Sequence, residues 1–232
     1  MARRAGARDA RGSSHGVRLS AARLVQWAGS AAALHGRPID PAAPVTRLLA
    51  VGQAIVLGRA QRVDDGFASR AHAAGYAVVH RVSGGTAVVV GPGECAWVDV
   101  VVGRDAVGWN DDIGKAGCWM GDQWVAALES VGVDDLRVHR TAMERRPGSG
   151  AVCFAGVGAG EVLRADGAKL VGVSQRRTRD WALFQCAIPL RWDPAPLIDL
   201  FGATAAPARD APVATLDAAA ATAAVAALAD LL

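Results

Sequence analysis

The sequence predicts an α+β fold because segments with strand character outnumber those with helix character, and several follow one another directly. Apolar runs rich in Val, Ile and Leu occur at Leu48–Leu57, Tyr76–Val90 and Cys95–Val102, and turn residues bound them. A second series of such runs extends from Val152 to Trp192. The chain of 232 residues is long enough to bury the core of one sizeable domain.

The first third of the chain contains a polar tail and two predicted helices. Residues Met1–Gly16 offer almost nothing to bury, which predicts a disordered basic tail. Apolar residues at helical spacing predict a helix over Leu19–Leu34 with Ser20 as its N-cap. A second helix is expected over Val63–Ala74 because Gly75 supplies a suitable C-terminal cap.

The middle of the chain alternates between strands, a helix and a loop. The pattern predicts a β-hairpin over Tyr76–Val90 and a long buried strand over Cys95–Val102. A helix is expected over Trp109–Gly132, and a short strand over Val133–His139. The polar stretch Arg140–Gly150 is typical of a mobile surface loop.

The last third contains four predicted strands followed by helical segments. The strands are expected at Val152–Phe154, Glu161–Arg164, Leu170–Gln175 and Trp181–Trp192. A short helix ends at Phe201, and an Ala-rich helix over Leu216–Leu232 has high intrinsic propensity. We therefore divide the chain into a disordered tail (1–16), a main domain (17–202), a linker rich in Ala and Pro (203–212) and a C-terminal helix packed on the domain (213–232).

Composition excludes several classes of protein. The net charge of +3 is small, and no basic run interleaved with aromatic residues appears, so no nucleic-acid partner is expected. The four cysteines are widely spaced and form no C-x-x-C pair, so neither a zinc site nor a disulfide scaffold is expected. No signal peptide and no apolar stretch of membrane-spanning length is visible, so we expect a cytoplasmic protein without a membrane partner.

A glycine-rich turn at His80–Val90, HRVSGGTAVVV, is the first candidate for a binding site. Gly84 and Gly85 can adopt positive φ and let backbone N–H groups approach a ligand closely. Arg81 adds a fixed fork of donors suited to a phosphate or a carboxylate. The turn is therefore either an anion-binding cradle or an ordinary hairpin turn.

Lysine is rare in this sequence, which makes each lysine informative. Arginine supplies almost all of the basic residues, and only Lys115 and Lys169 remain. Lys115 lies in a polar helical region and is expected at the surface. Lys169 lies between the turn Asp166–Gly167 and the apolar run Leu170–Val173, so it should begin a strand.

Four collinear segments resemble one family of enzymes. HRVSGGTAV resembles the Arg–Ser–Gly–Gly–Gly signature of the lipoate–protein ligase and octanoyltransferase family, within the biotin/lipoate ligase superfamily. AKLVGVSQRR resembles its Lys–x–x–Gly–x–(Ala/Ser)–Gln–Arg signature. IVLGRAQ (Ile55–Gln61) and VCFAGVGAGEV (Val152–Val162) resemble two further segments in the same order. The sequence departs from the pattern at Thr86, where a third glycine is usual, and at His80, where an arginine is common.

The resemblance implies an architecture and a set of site residues. The expected fold is a mixed, mostly antiparallel central sheet flanked by helices. Lys169 is the expected catalytic lysine, which would contact the acyl carbonyl and the α-phosphate, and Asp99 is either a satisfied core carboxylate or a pocket group. Arg81 to Gly85 should face Lys169 across one pocket. The expected substrate- and ATP-binding residues are Arg81, Ser83, Gly84, Gly85, Thr86, Ala87, Val88, Lys169, Gly172 and Ser174.

The resemblance also implies the reaction and leaves three possibilities open. The first is a ligase that activates lipoate or octanoate with ATP and Mg²⁺ and passes the acyl group to a lysine of a carrier domain. The second is an ATP-independent octanoyl or lipoyl transferase that works through a thioester at Cys153, with Cys186 as a weaker candidate. The third is a non-catalytic acyl- or nucleotide-binding relative.

The implied partner is a lipoyl carrier domain of a 2-oxoacid dehydrogenase E2 component or of the glycine cleavage H protein. A separate accessory protein is a further possible partner.

Overall fold

The computed structural model describes residues 24–232, so the expected tail (1–16) and Ser20 lie outside the described residues. It confirms the α+β class and the mixed sheet flanked by helices. The strands are β1 (Leu24–Gly29), β2 (Val45–Ala50), β3 (Ala54–Leu57), β4 (Ala77–His80), β5 (Val88–Val90), β6 (Cys95–Gly103), β7 (Leu136–Val138), β8 (Val162–Arg164), β9 (Lys169–Arg177) and β10 (Trp181–Pro189). The helices are α1 (Ala31–Gly36), α2 (Phe67–Ala73), α3 (Ile113–Glu129), α4 (Ala195–Phe201) and α5 (Ala218–Leu231).

A seven-stranded sheet forms the body of the protein. Its strand order is β1-β2-β6-β10-β9-β8-β7, and every neighbouring pair except β1–β2 is antiparallel. Helices α3 and α5 cover one face, where Trp124 and Leu228 pack against Val98 and Phe184 of the central strands. Among residues 24–232 no helix combines the length and the apolarity needed to cross a membrane.

A second, three-stranded sheet carries the glycine-rich turn. Its order is β4-β3-β5, so β3 lies between the two strands that flank the turn. Strand β4 pairs with β3 in parallel and β5 pairs with β3 in the antiparallel sense. The predicted hairpin over Tyr76–Val90 is therefore wrong: its two strands exist, but both of them bond to Ala54–Leu57 instead of to each other.

The predicted helix over Leu19–Leu34 is wrong for its described part. Residues Leu24–Gly29 form the edge strand β1, whose register runs from Leu24 opposite Val45 to Gly29 opposite Ala50. The helix α1 begins only after Ser30, whose side chain accepts a hydrogen bond from Ala33 N at 3.2 Å. Pairing with β2 has overridden the local helical spacing, as tertiary context often does.

Two predicted segments near the C-terminal half also differ from the structure. Cys153–Ala155 forms a turn of 3₁₀ helix instead of the predicted strand. Residues 203–212, expected to be a linker, contain parts of two short 3₁₀ helices joined at Ala205, and Ala205 and Ala208 are fully buried in a cluster with Phe67 and Leu200. Small side chains allow this segment to pack closely. A composition rich in Ala and Pro suits both a packed segment and a flexible linker, so composition alone does not distinguish the two.

A close backbone contact fixes the glycine-rich turn against the end of β3. A Cβ atom on Gly58 would overlap the carbonyl oxygen of Gly85, so only glycine fits at position 58. The amide of Arg59 donates to the carbonyl of Ser83 at 2.9 Å, which joins the same two segments. Gly85 itself has φ +93°, the left-handed region that favours glycine.

We expect Gly58→Ala to lower the free energy of unfolding by about 1–3 kcal/mol, because the added methyl group must push the turn away from β3. Urea denaturation followed by circular dichroism measures this change. Gly52→Ala is the matched control, since a Cβ at Gly52 meets nothing within 4 Å, and it should leave the midpoint nearly unchanged. Equal midpoints for the two variants would show that the contact does not constrain the turn.

Candidate active site

The Arg81 guanidinium braces the glycine-rich turn from within. The side chain is 2% exposed, and its Nε donates to Gly84 O at 3.0 Å while Nη1 donates to Thr86 O at 3.0 Å. A longer bond from Nη1 to Val56 O, at 3.4 Å, ties the turn to β3. Because backbone carbonyls occupy these donors, Arg81 stabilises the shape of the turn. These contacts do not provide the direct anion binding that the sequence suggested.

Ser83 connects the turn to the central sheet. Its hydroxyl donates to Gln185 Oε1 at 2.8 Å, and its amide donates to the same oxygen at 3.2 Å. The hydroxyl of Ser174, on β9, lies 2.8 Å from the hydroxyl of Ser83. The two serines expected at the site, which are 91 residues apart in sequence, are thus in direct contact.

Asp99 extends this hydrogen-bonded group through its bond to Gln185. It is fully buried and accepts from Gln185 Nε2 at 3.1 Å and from Trp97 Nε1 at 3.0 Å. Its other oxygen forms an ion pair with Arg37 at 2.9 Å. Of the two roles considered from sequence, Asp99 therefore has that of a satisfied core carboxylate, which holds the indole and the amide that line the site.

The Lys169 ammonium is buried and fully bonded. The residue is 1% exposed, and Nζ donates to Gly156 O at 2.9 Å and to Cys153 O at 3.0 Å. Nζ also lies 2.7 Å from Glu161 Oε2 and 4.9 Å from the centre of the Phe154 ring. An ammonium has three donors, so these three oxygens satisfy it completely.

Glu161 is the site residue that sequence reasoning missed. Its Oε2 accepts from Gly158 N at 2.7 Å and its Oε1 accepts from Val173 N at 3.3 Å, so backbone amides fix the carboxylate beside Lys169. Glu161 lies in the segment Val152–Val162 that resembles the family. The signal that could have identified it is an acidic residue at the first position of a predicted strand, eight positions before the lysine.

Cys153 joins the two halves of the site. Its sulfur lies 3.9 Å from Arg81 Nη2, and its carbonyl accepts from Lys169. Arg81 and Cys153 line a cleft together with Ser174, Gly172 and Phe154. Arg81 and Lys169 thus both contact Cys153. That the turn and Lys169 face each other across one pocket stays a prediction, since Lys169 is not on the lining of this cleft.

The cleft beside Cys153 is narrow. Only about 10 Å³ of it admits the centre of a water molecule, which corresponds to roughly one water. A Cβ on Gly172 would lie 3.2 Å from the Phe154 ring and 3.6 Å from Lys169 Cε, so this glycine permits the close packing. An acyl chain therefore needs the side chains around Cys153 and Phe154 to move.

Three neighbouring residues from the sequence prediction lie around this cleft with different roles. Val88 lines the cleft directly. The Thr86 hydroxyl donates to Ser149 O at 3.1 Å, and Ala87 exchanges backbone hydrogen bonds with Ala151 and Cys153. Thr86 and Ala87 thus attach the turn to the segment that carries Cys153.

A second, larger cavity shares one lining residue, Trp97, with the narrow cleft. About 280 Å³ of it admits the centre of a water molecule, and Leu34, Leu48 and Val90 form part of its apolar wall. His35 and Arg47 are the polar residues on its lining.

Other candidate residues have structural roles. Burial raises the pKa of the Cys186 thiol to about 12, so this residue is a poor nucleophile. Arg177 donates to backbone carbonyls of Asn110 and Asp111 and lies 4.5 Å from the Trp109 ring, so it supports the loop before α3. Within residues 24–232 no group of three or more His, Cys, Asp and Glu side chains is placed to hold a metal ion.

The sequence matches one family over most of its length. The family described as "Lipoyl protein ligase A/B catalytic domain" matches residues 23–232. A search of curated proteins finds no significant match.

Solved structures resemble the fold. A lipoate–protein ligase A bound with ATP has TM-score 0.57 and 18% identity over 88% of this chain and 81% of its own. The bipartite lipoate protein ligase of Thermoplasma acidophilum, studied with its E2 lipoyl domain, has TM-score 0.59 and 16% identity over 89% of this chain and 81% of its own. A T. acidophilum protein assigned as a lipoate protein ligase, with bound lipoic acid, has TM-score 0.55 and 16% identity over 78% and 68%. At these identities the likeness establishes the fold alone.

Substitutions at Lys169 and Glu161 should have strongly non-additive effects on the free energy of unfolding. We expect Glu161→Leu to lower the free energy of unfolding by about 3–5 kcal/mol, because it leaves a buried ammonium without its counter-ion. Adding Lys169→Met should restore much of this loss. Urea unfolding at neutral pH compares the wild type, the two single variants and the double variant. Glu144→Ala, at an exposed carboxylate, is the control. Additive losses for the two substitutions would contradict a direct pair.

His35 should make stability depend on pH. Burial, assisted by the charges of Arg81 and Arg37, lowers the pKa of His35 to about 4. The unfolded state therefore binds more protons between about pH 6.5 and 4, and stability is lost as pH falls through this window, by about 3 kcal/mol in all. His35→Phe should remove this part of the dependence, whereas the exposed His72→Phe should not. Urea unfolding at pH 7 and 4.5 gives the comparison; identical pH dependence in all three proteins would contradict it.

Proposed function

Because the chain belongs to the lipoyl protein ligase A/B catalytic domain family, we propose that it activates lipoate or octanoate with ATP. The acyl group then passes to a lysine of a lipoyl carrier domain. The observation that carries this proposal is the buried Lys169 ammonium, held 3.0 Å from the carbonyl of Cys153, a residue that lines the narrow cleft together with Ser174 and Arg81. Bound ATP and bound lipoic acid in two structural relatives support the choice of substrates.

The proposed first step forms an acyl-adenylate. A carboxylate oxygen of the acid bonds to the α-phosphorus of ATP, the bond from that phosphorus to the bridging oxygen breaks, and pyrophosphate leaves with the electron pair. Negative charge develops on the α-phosphoryl oxygens, and a fixed ammonium in a dry site stabilises it. Since three protein oxygens occupy the Lys169 donors, at least one of these contacts must be exchanged for a substrate oxygen.

The exchange is most easily made at the Cys153–Gly156 turn. Glu161 is fixed by two backbone amides, whereas the Cys153 and Gly156 carbonyls belong to a short 3₁₀ turn. Movement of this turn would free two ammonium donors and would open the narrow cleft at the same time. Glu161 would remain bonded to Lys169 and keep it aimed at the reacting oxygens.

The second proposed step transfers the acyl group. The neutral amine of a carrier lysine attacks the acyl carbon, AMP leaves with the electron pair, and the nitrogen loses a proton to solvent. A lipoyl domain fits as acceptor because a structural relative is a ligase studied with its E2 lipoyl domain; a glycine cleavage H protein is the other expected carrier. That relative is bipartite, which supports an accessory protein as a further partner. The cytoplasm remains the expected compartment.

Magnesium would enter with the nucleotide. Asp99 and Glu161 are the buried carboxylates at the site. Asp99 already forms an ion pair with Arg37, and Glu161 with Lys169. Among residues 24–232 no spare buried carboxylate therefore remains there, which agrees with Mg²⁺ carried mainly by phosphate oxygens and water.

A thioester route through Cys153 is the second candidate function. The observation in its favour is that the Cys153 sulfur lines the cleft, 3.9 Å from a guanidinium nitrogen of Arg81. In this route the Cys153 thiolate attacks the thioester carbonyl of an octanoyl carrier and expels that carrier's thiolate. The lysine amine of the lipoyl carrier domain then attacks the new thioester, the Cys153 thiolate leaves, and the nitrogen loses a proton to solvent. No ATP is consumed. The third hypothesis is a non-catalytic acyl- or nucleotide-binding protein. The observation in its favour is that Thr86 and His80 depart from the family pattern.

Pyrophosphate exchange with Lys169 and Cys153 variants distinguishes these functions. For the ligase we expect Lys169→Gln to lower the exchange rate roughly 10²–10³-fold, by analogy with a lost transition-state donor, and Cys153→Ser to change it little. For the thioester route Cys153→Ser should abolish transfer from an octanoyl carrier without ATP, and mass spectrometry should detect an acyl adduct on the wild type.

Circular dichroism of each variant serves as the control for folding, so that a loss of rate in a folded variant reports on chemistry. Undiminished adenylation and transfer in Lys169→Gln would mean that the site is wrongly assigned. Binding of octanoate or ATP without either activity in the wild type would support the third hypothesis.

A further inference from the structure

We propose that Met143 is a modification site through which hydrogen peroxide lowers the activity of the candidate active site. Oxidation of its thioether to the sulfoxide loosens the backbone that holds Lys169 and Glu161. The inference rests on the proposed function and names a regulation of the same site. It starts from an exposed methionine that the proposed chemistry does not use.

Among residues 24–232, Met143 is the methionine that an oxidant in solution can reach. The sequence contains three methionines, of which Met1 lies outside the described residues. Met120 is fully buried in the core, whereas Met143 is 53% exposed. A small polar oxidant therefore has access to the thioether of Met143 and not to that of Met120.

The Met143 side chain lies directly on a backbone segment with two glycines. A Cβ atom on Gly156 would lie 2.8 Å from Met143 Cε, and a Cβ atom on Gly158 would lie 3.5 Å from Met143 Sδ. The amide of Glu144 donates to Val157 O at 2.7 Å, and the amide of Val157 donates to Glu144 O at 3.1 Å. The segment that carries Met143 is thus joined to this backbone by both side-chain packing and hydrogen bonds.

The backbone next to Met143 holds the charged pair of the site. Gly156 O accepts from the Lys169 ammonium at 2.9 Å, and Gly158 N donates to Glu161 Oε2 at 2.7 Å. The same Glu161 oxygen lies 2.7 Å from Lys169 Nζ. A displacement of this backbone therefore changes one acceptor of the ammonium and the position of its counter-ion together.

The modification adds one oxygen atom to the Met143 sulfur. The sulfur lone pair attacks one oxygen of hydrogen peroxide, an S–O bond forms and the O–O bond breaks. The second oxygen takes the proton of the transferred hydroxyl group and leaves as water. Sulfur is oxidised by two electrons and the peroxide is reduced by two. An apolar thioether becomes a polar sulfoxide, whose oxygen accepts hydrogen bonds.

The sulfoxide oxygen finds no unused amide on the neighbouring backbone. The three amides of residues 156–158 already donate, in chain order, to Cys153 O, Glu144 O and Glu161 Oε2. Because a polar group buried without a hydrogen bond is costly, the oxygen either takes an amide from its present acceptor or turns to water and carries Met143 away. Both changes loosen the backbone that positions the ammonium. We expect the pyrophosphate exchange rate to fall roughly 10- to 100-fold, because a shift of about 1 Å at a reacting group is enough for such a loss.

The test treats the full chain with hydrogen peroxide and then with dithiothreitol, which reverses cysteine sulfenic acids and disulfides but not methionine sulfoxide. Mass spectrometry identifies the oxidised methionine, and pyrophosphate exchange with octanoate and ATP gives the rate. Deuterium uptake by the peptide over residues 156–161 reports on the backbone without any substrate. We expect sulfoxide at Met143 and not at Met120, faster uptake and a lower rate. Methionine sulfoxide reductases A and B should reverse the changes in uptake and rate together.

Met143→Leu is the matched control, because leucine keeps an apolar side chain of similar volume without the sulfur. It should exchange pyrophosphate at the wild-type rate both before and after the treatment. Met143→Gln, which places a polar acceptor at the same position, should have a lower rate without peroxide. Equal losses in treated Met143→Leu and treated wild type would assign the effect to another residue and overturn the inference.

The outcomes separate this inference from the function on which it rests. Sulfoxide at Met143 with unchanged uptake or an unchanged exchange rate would overturn the inference and leave the ligase intact. The absence of sulfoxide at Met143 after treatment would also overturn it. No exchange by the untreated protein with octanoate or lipoate would contradict the proposed function, and deuterium uptake would still show whether oxidation loosens the backbone. Reversal by the reductases in the wild type decides the role of Met143 even if a variant does not fold.

Discussion

The buried Lys169 ammonium is the constraint on which the site depends. A charge with 1% exposure must be compensated, and Glu161 with two backbone carbonyls does so completely. These contacts attach strand β9 to the segment before β8 and to the Cys153 turn. Cys153 also contacts Arg81. The geometry of the cleft thus follows from the need to satisfy one cation.

The sequence predicted the principal parts of this arrangement from residue chemistry. The scarcity of lysine identified Lys169, and the glycine-rich turn identified Ser83 and Gly85, because these residue types have properties that others do not duplicate. It did not predict what Arg81 bonds to. A guanidinium beside a glycine turn suits a phosphate or the carbonyls of the turn equally well, and only the folded backbone decides between them.

The fold class was predictable from strand runs, but the strand partners were not. The runs flanking the glycine-rich turn were correctly identified as strands, yet both pair with β3, since pairing depends on which edge the rest of the chain leaves available. The strand β1 carries helical spacing and was missed for the same reason. Glu161 was missed because its place at the start of a predicted strand does not show that its carboxylate is buried; this depends on the amides of Gly158 and Val173, which only the folded chain brings to it.

Gln185 has a consequence for the order in which the protein can be assembled. It supplies the oxygen that accepts both the amide and the hydroxyl of Ser83, and it lies on β10, about one hundred residues after the turn. During synthesis from the N-terminus, the ribosome must therefore release β10 before the turn acquires its acceptor. Contacts of such long sequence separation form slowly. The emerging chain thus carries an incomplete glycine-rich turn until most of the protein has left the exit tunnel.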